Sequence, residues 1–185
     1  MVKDLGIKVL ALPETHLTER LVNSLHKYLG RRLEILYSAP PERSTSAQGV
    51  AFVLDKDKTN IKDANLTEII PGRAILLTLP WHKTLVVTIL NIYAPNSPSE
   101  NAKFWQDLDR RWMEMHLEDP DIMLGDFNMV EDKIDRIPCR EETQATMESF
   151  ATFRLNMNLN NRWRDTYKPI EPTHTHNKAP AATLE

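Results

Sequence analysis

The stretch Leu85-Val86-Val87-Thr88-Ile89-Leu90-Asn91-Ile92-Tyr93-Ala94-Pro95-Asn96 decides the fold. Apolar and β-branched residues run almost unbroken to Tyr93, which marks a strand covered on both faces and therefore central in its sheet. Pro95 cannot donate to a ladder and ends the run, leaving Tyr93 and Asn96 at the strand's exit. Residues 74–79 make a second strand of Ile, Leu and Thr. Pro80, Trp81, His82 and Lys83 separate the two, the pattern of an antiparallel hairpin.

Shorter strands surround this pair at residues 7–12, 33–37, 49–54 and 121–124. Three amphipathic helices alternate with them. The first is N-capped by Thr18 and stopped by Gly30, with Leu21, Leu25, Tyr28 and Leu29 as its inward stripe. The second opens on Ser97-Pro98-Ser99-Glu100, a capping box with proline at the first helical position, and runs to about Met115. Its inward residues are Phe104, Trp105, Leu108, Trp112 and Met115. A third, over residues 142–154, turns Met147, Phe150 and Phe153 inward. Short strands with helices laid outside them indicate an α+β layered domain.

The 185 residues carry a net charge of −3, 26% charged and 41% hydrophobic residues, a globular rather than a disordered mixture. The longest apolar run is far too short to span a bilayer, so no membrane partner is expected, and the visible chain opens on no secretory signal. An intracellular protein is the expectation. The single cysteine, Cys139, excludes an intrachain disulfide and a cysteine-based zinc site. The weak negative charge supplies no global basic field for nucleic acid, which leaves phosphate contact to a local face.

Three polar clusters follow directly on strands: Glu14 with His16, Tyr93 with Asn96, and Asp126 with Asn128. Loops at strand ends are where a rigid sheet holds chemical groups at fixed separations. Glu14 suits a hard cation such as Mg²⁺, which takes oxygen ligands and keeps several waters. Asp126 can accept a proton from an attacking water. The Asn128 amide can orient that water or a phosphate, and Tyr93 and Asn96 can donate to phosphate oxygens. Asp126 and Asn128 share a direction only if the backbone between them stays extended. Each residue also has a plain structural role open to it, Asp126 and Asn128 as turn formers and Tyr93 as an amphipathic core residue.

Taken in order, Pro13-Glu14-Thr15-His16, Gly49-Val50-Ala51, Asn91-Ile92-Tyr93-Ala94-Pro95-Asn96 and Gly125-Asp126-Phe127-Asn128 resemble the hallmark segments of the endonuclease/exonuclease/phosphatase superfamily. They are most similar to the apurinic-type endonuclease domain of non-LTR retrotransposons. Leu159-Asn160-Asn161-Arg162-Trp163-Arg164 resembles a further family segment, with Asn161 where the family carries aspartate. The resemblance implies a four-layered α/β sandwich, incomplete here, spanning 1–185 as one partial domain. It implies Glu14 as the Mg²⁺ ligand, with Mn²⁺ as an alternative ion. It further implies Tyr93, Asp126 and Asn128 as catalytic residues and Asn96 as a substrate contact; Arg164 is a candidate phosphate contact. Asp135 matches an acidic position of the following loop.

The resemblance also has departures. The family's opening strand with its active-site asparagine has no counterpart before Glu14, and its closing Ser-Asp-His segment has none after Thr173. The expected activity is therefore metal-dependent hydrolysis of DNA phosphodiesters, impaired or lost. The alternatives are a non-catalytic nucleic-acid-binding remnant and a phosphatase on a small or lipid phosphate. DNA is the expected partner, the nucleus the expected location for a retrotransposon-derived nuclease, and self-association is expected through uncovered strands. His174 and His176 would share one side of an extended strand, but two imidazoles do not complete a zinc site.

Overall fold

The computed structural model describes residues 6–40, 48–82, 84–139 and 141–161. Arg162, Arg164, Lys168, His174 and His176 lie outside the described residues. Two sheets face each other. The first is three-stranded, with β3 (Val50–Asp55) between β1 (Val9–Pro13) and β2 (Leu33–Ser38), all antiparallel. The second is four-stranded, in the order β4 (Asn65–Ile70), β5 (Ala74–Pro80), β6 (Val86–Tyr93) and β7 (Ile122–Asp126). Its strands are antiparallel except for β6 and β7, which run parallel.

The period-two alternation of β5 and β6 builds two cores at once. Ile75, Leu77, Leu79, Ile89 and Tyr93 face the first sheet and pack on Val50, Phe52 and Leu54. Ala74, Leu76, Leu90 and Ile92 face the other way, onto α2 (Pro98–Glu114) and α3 (Gln144–Asn156). Trp105 is the hub of that outer core. Its fully buried ring meets Phe104, Phe127 and Phe150 edge-on, at centroid distances of 5.1, 5.8 and 4.8 Å, and lies tilted against Phe153. With α1 (Glu19–Leu29) against β2, the layers run helix, sheet, sheet, helices, the expected α/β sandwich.

Asn91 joins the two sheets. Its side chain is fully buried, and Nδ2 donates to the carbonyls of Leu12 in β1 and Ala51 in β3, at 3.3 and 3.0 Å. A polar side chain in an otherwise apolar strand thus ties the sheets together two residues before Tyr93.

Four expectations are corrected. The α1 stripe is rotated: Val22 is buried, whereas Leu21, Tyr28 and Leu29 are exposed, because the helix rests on β2 along the line of Val22, Leu25 and His26. Thr18 does cap that helix, accepting from Leu21 N. Ser97 occupies the cap position of α2, but its hydroxyl pairs with Ser99 and makes no cap bond, so the capping box does not form. Met115 is the exposed C-cap of α2 rather than a core residue, since the helix has already passed the edge of the sheet. Finally, β4 had no counterpart among the expected strands. Its half-exposed edge position and the bulge between Glu68 and Ile70 leave little apolar alternation to read.

Candidate active site

The parallel pairing of β6 with β7 sets Tyr93 directly beside Asp126. The ladder continues one step further, with Ala94 N donating to Asp126 O at 2.8 Å. Gly125 is dictated by this closeness. Its φ is +132°, and a Cβ there would sit 2.0 Å from Ile92 O, so only glycine lets the two strands meet before the aspartate.

Past Asp126 the chain turns. Asn128 takes a positive φ of 50°, so the extended backbone that would align the two side chains does not occur. Asp126 Oδ1 instead accepts from Asn128 N at 3.0 Å, closing an Asx turn. Asn128 Nδ2 donates to Ala94 O at 2.8 Å and braces the β7 loop on the end of β6. One amide hydrogen of Asn128 is thereby committed to the scaffold, and its Oδ1 becomes the group available to an incoming water.

Glu14 arrives from the other sheet. It follows β1 in a left-handed conformation, with φ of 52°. Thr15 N donates to Gly49 O at 3.0 Å, and a Cβ on Gly49 would collide with Thr15 Oγ1 at 2.7 Å, so Gly49 gives the Glu14 loop its seat. The Tyr93 phenol lies beside the Glu14 carboxylate. Burial, followed by the Glu14 and then the Asp126 carboxylates, pushes the Tyr93 pKa above its ordinary value, so the hydroxyl stays protonated at neutral pH. Glu14, Tyr93, Asp126 and Asn128 therefore stand at one edge of the two sheets. His16 Nε2 lies 3.9 Å from Glu14 Oε1, at the solvent side. Asn96, three residues past Tyr93, is exposed on the same loop. Asp135 is buried in a 3-10 turn, a structural setting rather than an open one.

Two residues of this edge escaped the sequence reading. Arg73 leaves the turn before β5, stacks its guanidinium 5.0 Å from the centroid of the Tyr93 ring and donates to Tyr93 O at 3.2 Å. Burial lowers its pKa, and Tyr93 and Glu100 oppose the shift; a guanidinium remains charged at any physiological pH. Its only signal was its place between the Pro71-Gly72 turn and a strand. Asn101 in α2 is the second. It is buried, donates through Nδ2 to Pro95 O and Phe127 O at 2.8 and 2.9 Å, and accepts from Trp105 Nε1 at 2.8 Å. It latches the loop after β6 to the loop after β7. Its signal was an asparagine at a stripe position of an amphipathic helix.

Glu14 and Asp126 set two carboxylates around the phenol, opposed by the one guanidinium of Arg73, so a phosphate arriving alone would meet excess negative charge. A hard divalent cation fits that balance, and Mg²⁺ is commonly bound by one or two carboxylates plus water. No group of three or more His, Cys, Asp or Glu able to hold a metal ion occurs among the described residues. Glu14 would then be the principal ligand.

No protein-family model and no curated protein matches the chain. Solved structures do. The endonuclease domain of TRAS1, a telomere-specific non-LTR retrotransposon, superposes with a TM-score of 0.53 at 10% identity, over 84% of this chain and 61% of that one. An endonuclease/exonuclease/phosphatase family protein from Bacteroides thetaiotaomicron gives 0.51 at 12% identity, over 82% and 56%. Truncated TDP2 from Caenorhabditis elegans gives 0.46 at 16% identity, over 70% and 52%. The chain thus spans between 52% and 61% of the length of these three. It has the α/β sandwich fold of the endonuclease/exonuclease/phosphatase nucleases and phosphatases.

Proposed function

We propose that this chain is a metal-assisted phosphodiester hydrolase domain of the nuclease kind, acting on DNA at the Glu14–Tyr93–Asp126 edge with low turnover. The observation that supports the reading most directly is the arrangement around Tyr93: a protonated phenol between two carboxylates, with a guanidinium on its ring. Glu14 would hold Mg²⁺ or Mn²⁺, which when bound withdraws charge from a phosphoryl oxygen. Asp126, fixed by the Asn128 N–H, would take the proton from an attacking water, and Asn128 Oδ1 would help aim that water. The Tyr93 hydroxyl would position the scissile phosphate or the nucleophile. Asn96 and, outside the described residues, Arg164 would contact the flanking phosphates.

Turnover should be slow because the described residues set only one cation, Arg73, beside the reacting edge. Charge growing on the phosphoryl oxygens needs donors fixed in advance. The test is nicking of supercoiled plasmid with Mg²⁺ by the full chain beside Asp126→Asn and Tyr93→Phe. A general base contributes roughly 10²–10⁴-fold, so Asp126→Asn should lower the rate at least a hundredfold. Nicking that survives this substitution overturns the assignment.

One observation favours a second reading, a nucleic-acid-binding remnant: the described residues offer no group of three or more His, Cys, Asp or Glu that could hold a metal ion. Salt-dependent DNA binding without any nicking would select it. The outer strands β1, β2, β4 and β7 are the described sheet edges through which self-association would run, which sedimentation at several concentrations would detect.

A further inference from the structure

The end of the sandwich opposite Tyr93 carries a second cleft, of about 320 Å³, between the start of β1 and the β5–β6 hairpin. That falls at the lower limit of the roughly 300–1,000 Å³ typical of small-molecule sites. Lys8, Lys58 and His82 stand around it, Trp81 forms one wall, and Val9 and Leu79 supply apolar lining. Along β6 it lies ~23 Å from Tyr93, at about 3.3 Å per residue.

The charges of this cleft are poorly neutralised. Asp55, the nearest buried carboxylate, is already held by Arg32 at 2.8 Å and reaches Lys58 only at 4.0 Å. Among the described residues no carboxylate forms an ion pair with Lys8; its ammonium lies instead 5.7 Å from the centroid of the Trp81 ring. Trp81 is 66% exposed, although a tryptophan in a hairpin turn could have folded its ring onto the sheet. An exposed indole with one ammonium over its ring and a second lysine lining the same cleft is the combination that stacks a base and neutralises the phosphate attached to it.

We propose that this cleft binds a nucleoside phosphate unit, either free or within a single-stranded nucleic acid. The base stacks on Trp81, and Lys8 and Lys58 hold the phosphate. The site is separate from the hydrolytic edge, so a chain that cleaves nothing would still bind there.

Trp105 and Trp112 are buried and Trp81 is exposed, so tryptophan emission can report on this cleft. The full chain carrying Trp163→Phe is titrated with thymidine 5′-monophosphate and, separately, with a ten-nucleotide oligothymidylate. Quenching by the mononucleotide at comparable affinity identifies the free nucleotide as the ligand. Quenching that needs the oligonucleotide identifies the strand. In parallel, anisotropy of a labelled ten-mer is measured with the full chain, Trp81→Ala and Lys8→Glu/Lys58→Gln, each checked for an unchanged thermal melt. Losing the stacking platform should weaken binding about fivefold to a hundredfold. Removing both ammonium groups from the one phosphate they hold should flatten the log–log salt slope by about 0.7, the value per phosphate contact on a single strand. Unchanged affinity and slope in both variants overturns the proposal. So does self-association that Trp81→Ala abolishes without any nucleotide binding, which would make the hairpin tip a protein contact.

Discussion

Replacing Asn101 with alanine should cost far more than a surface asparagine would. The side chain is 1% exposed and makes three hydrogen bonds, to Pro95 O, Phe127 O and Trp105 Nε1. At about 1 kcal/mol net for each, the lost bonds alone amount to about 3 kcal/mol. The Trp105 ring is fully buried, so its N–H would be left without a partner, and an unsatisfied buried donor costs about 1–3 kcal/mol. These terms overlap, and the expected loss is about 3–5 kcal/mol. Urea unfolding followed by circular dichroism is the assay. With a denaturant slope of about 2–3 kcal/mol per molar, the midpoint should fall by about 1–2.5 M. Trp105→Phe closes a double-mutant cycle with Asn101→Ala, and the pair should show a coupling of about 1 kcal/mol. A loss below about 1 kcal/mol, or a coupling near zero, would refute the view that Asn101 latches the two site loops.

The remaining predictions concern the site itself. Gly125→Ala places a Cβ 2.0 Å from Ile92 O at a φ of +132°, so it should cost more than about 4 kcal/mol or abolish soluble expression, read by thermal melting. Tyr93 should ionise above the ordinary tyrosine range, since burial and the Glu14 and Asp126 carboxylates all favour its neutral form. Because the folded pKa is raised, this contribution to stability is complete below about pH 10 and is lost as pH rises through the higher folded value. Tyrosinate absorbance of the parent minus Tyr93→Phe should show that delayed step; a step below pH 10 would contradict it. Mg²⁺ should bind weakly in calorimetric titration and not at all in Glu14→Gln, because one principal carboxylate ligand is present; tight stoichiometric binding would refute that ligand assignment.

Elements whose burial is written in a single period were legible in the sequence. The β5–β6 hairpin, the N-cap of α1 and the inner faces of α2 and α3 follow from alternation, capping and helical spacing. What tertiary packing decides was not. The α1 helix shows enough apolar residues for two candidate stripes, and only β2 selects the one through Val22. The order of the Glu14, Tyr93 and Asp126 segments pointed to one edge, but Arg73 did not, since an arginine in a turn normally reads as a solvated charge. Asn91 and Asn101 could have been suspected: each is an amide placed where the local period demands an apolar residue. Asn101 meets its hydrogen bonds there on both amide atoms, whereas Asn91 meets them through Nδ2 alone, its Oδ1 being buried without a partner.

Those two asparagines also explain why like charges can be gathered at this edge. Glu14 and Asp126 are carried by loops of different sheets, so sliding of one sheet on the other would change their spacing. Asn91 opposes that motion from beneath, by donating from β6 to carbonyls of both β1 and β3. Asn101 acts within the second sheet, holding the carbonyls of Pro95 and Phe127 on one amide and so fixing the loop after β7 to the loop after β6. Between them the phenol of Tyr93 lies beside the Glu14 carboxylate, and Arg73 lies on its ring. The frame, and not the acids alone, therefore sets where the two carboxylates stand.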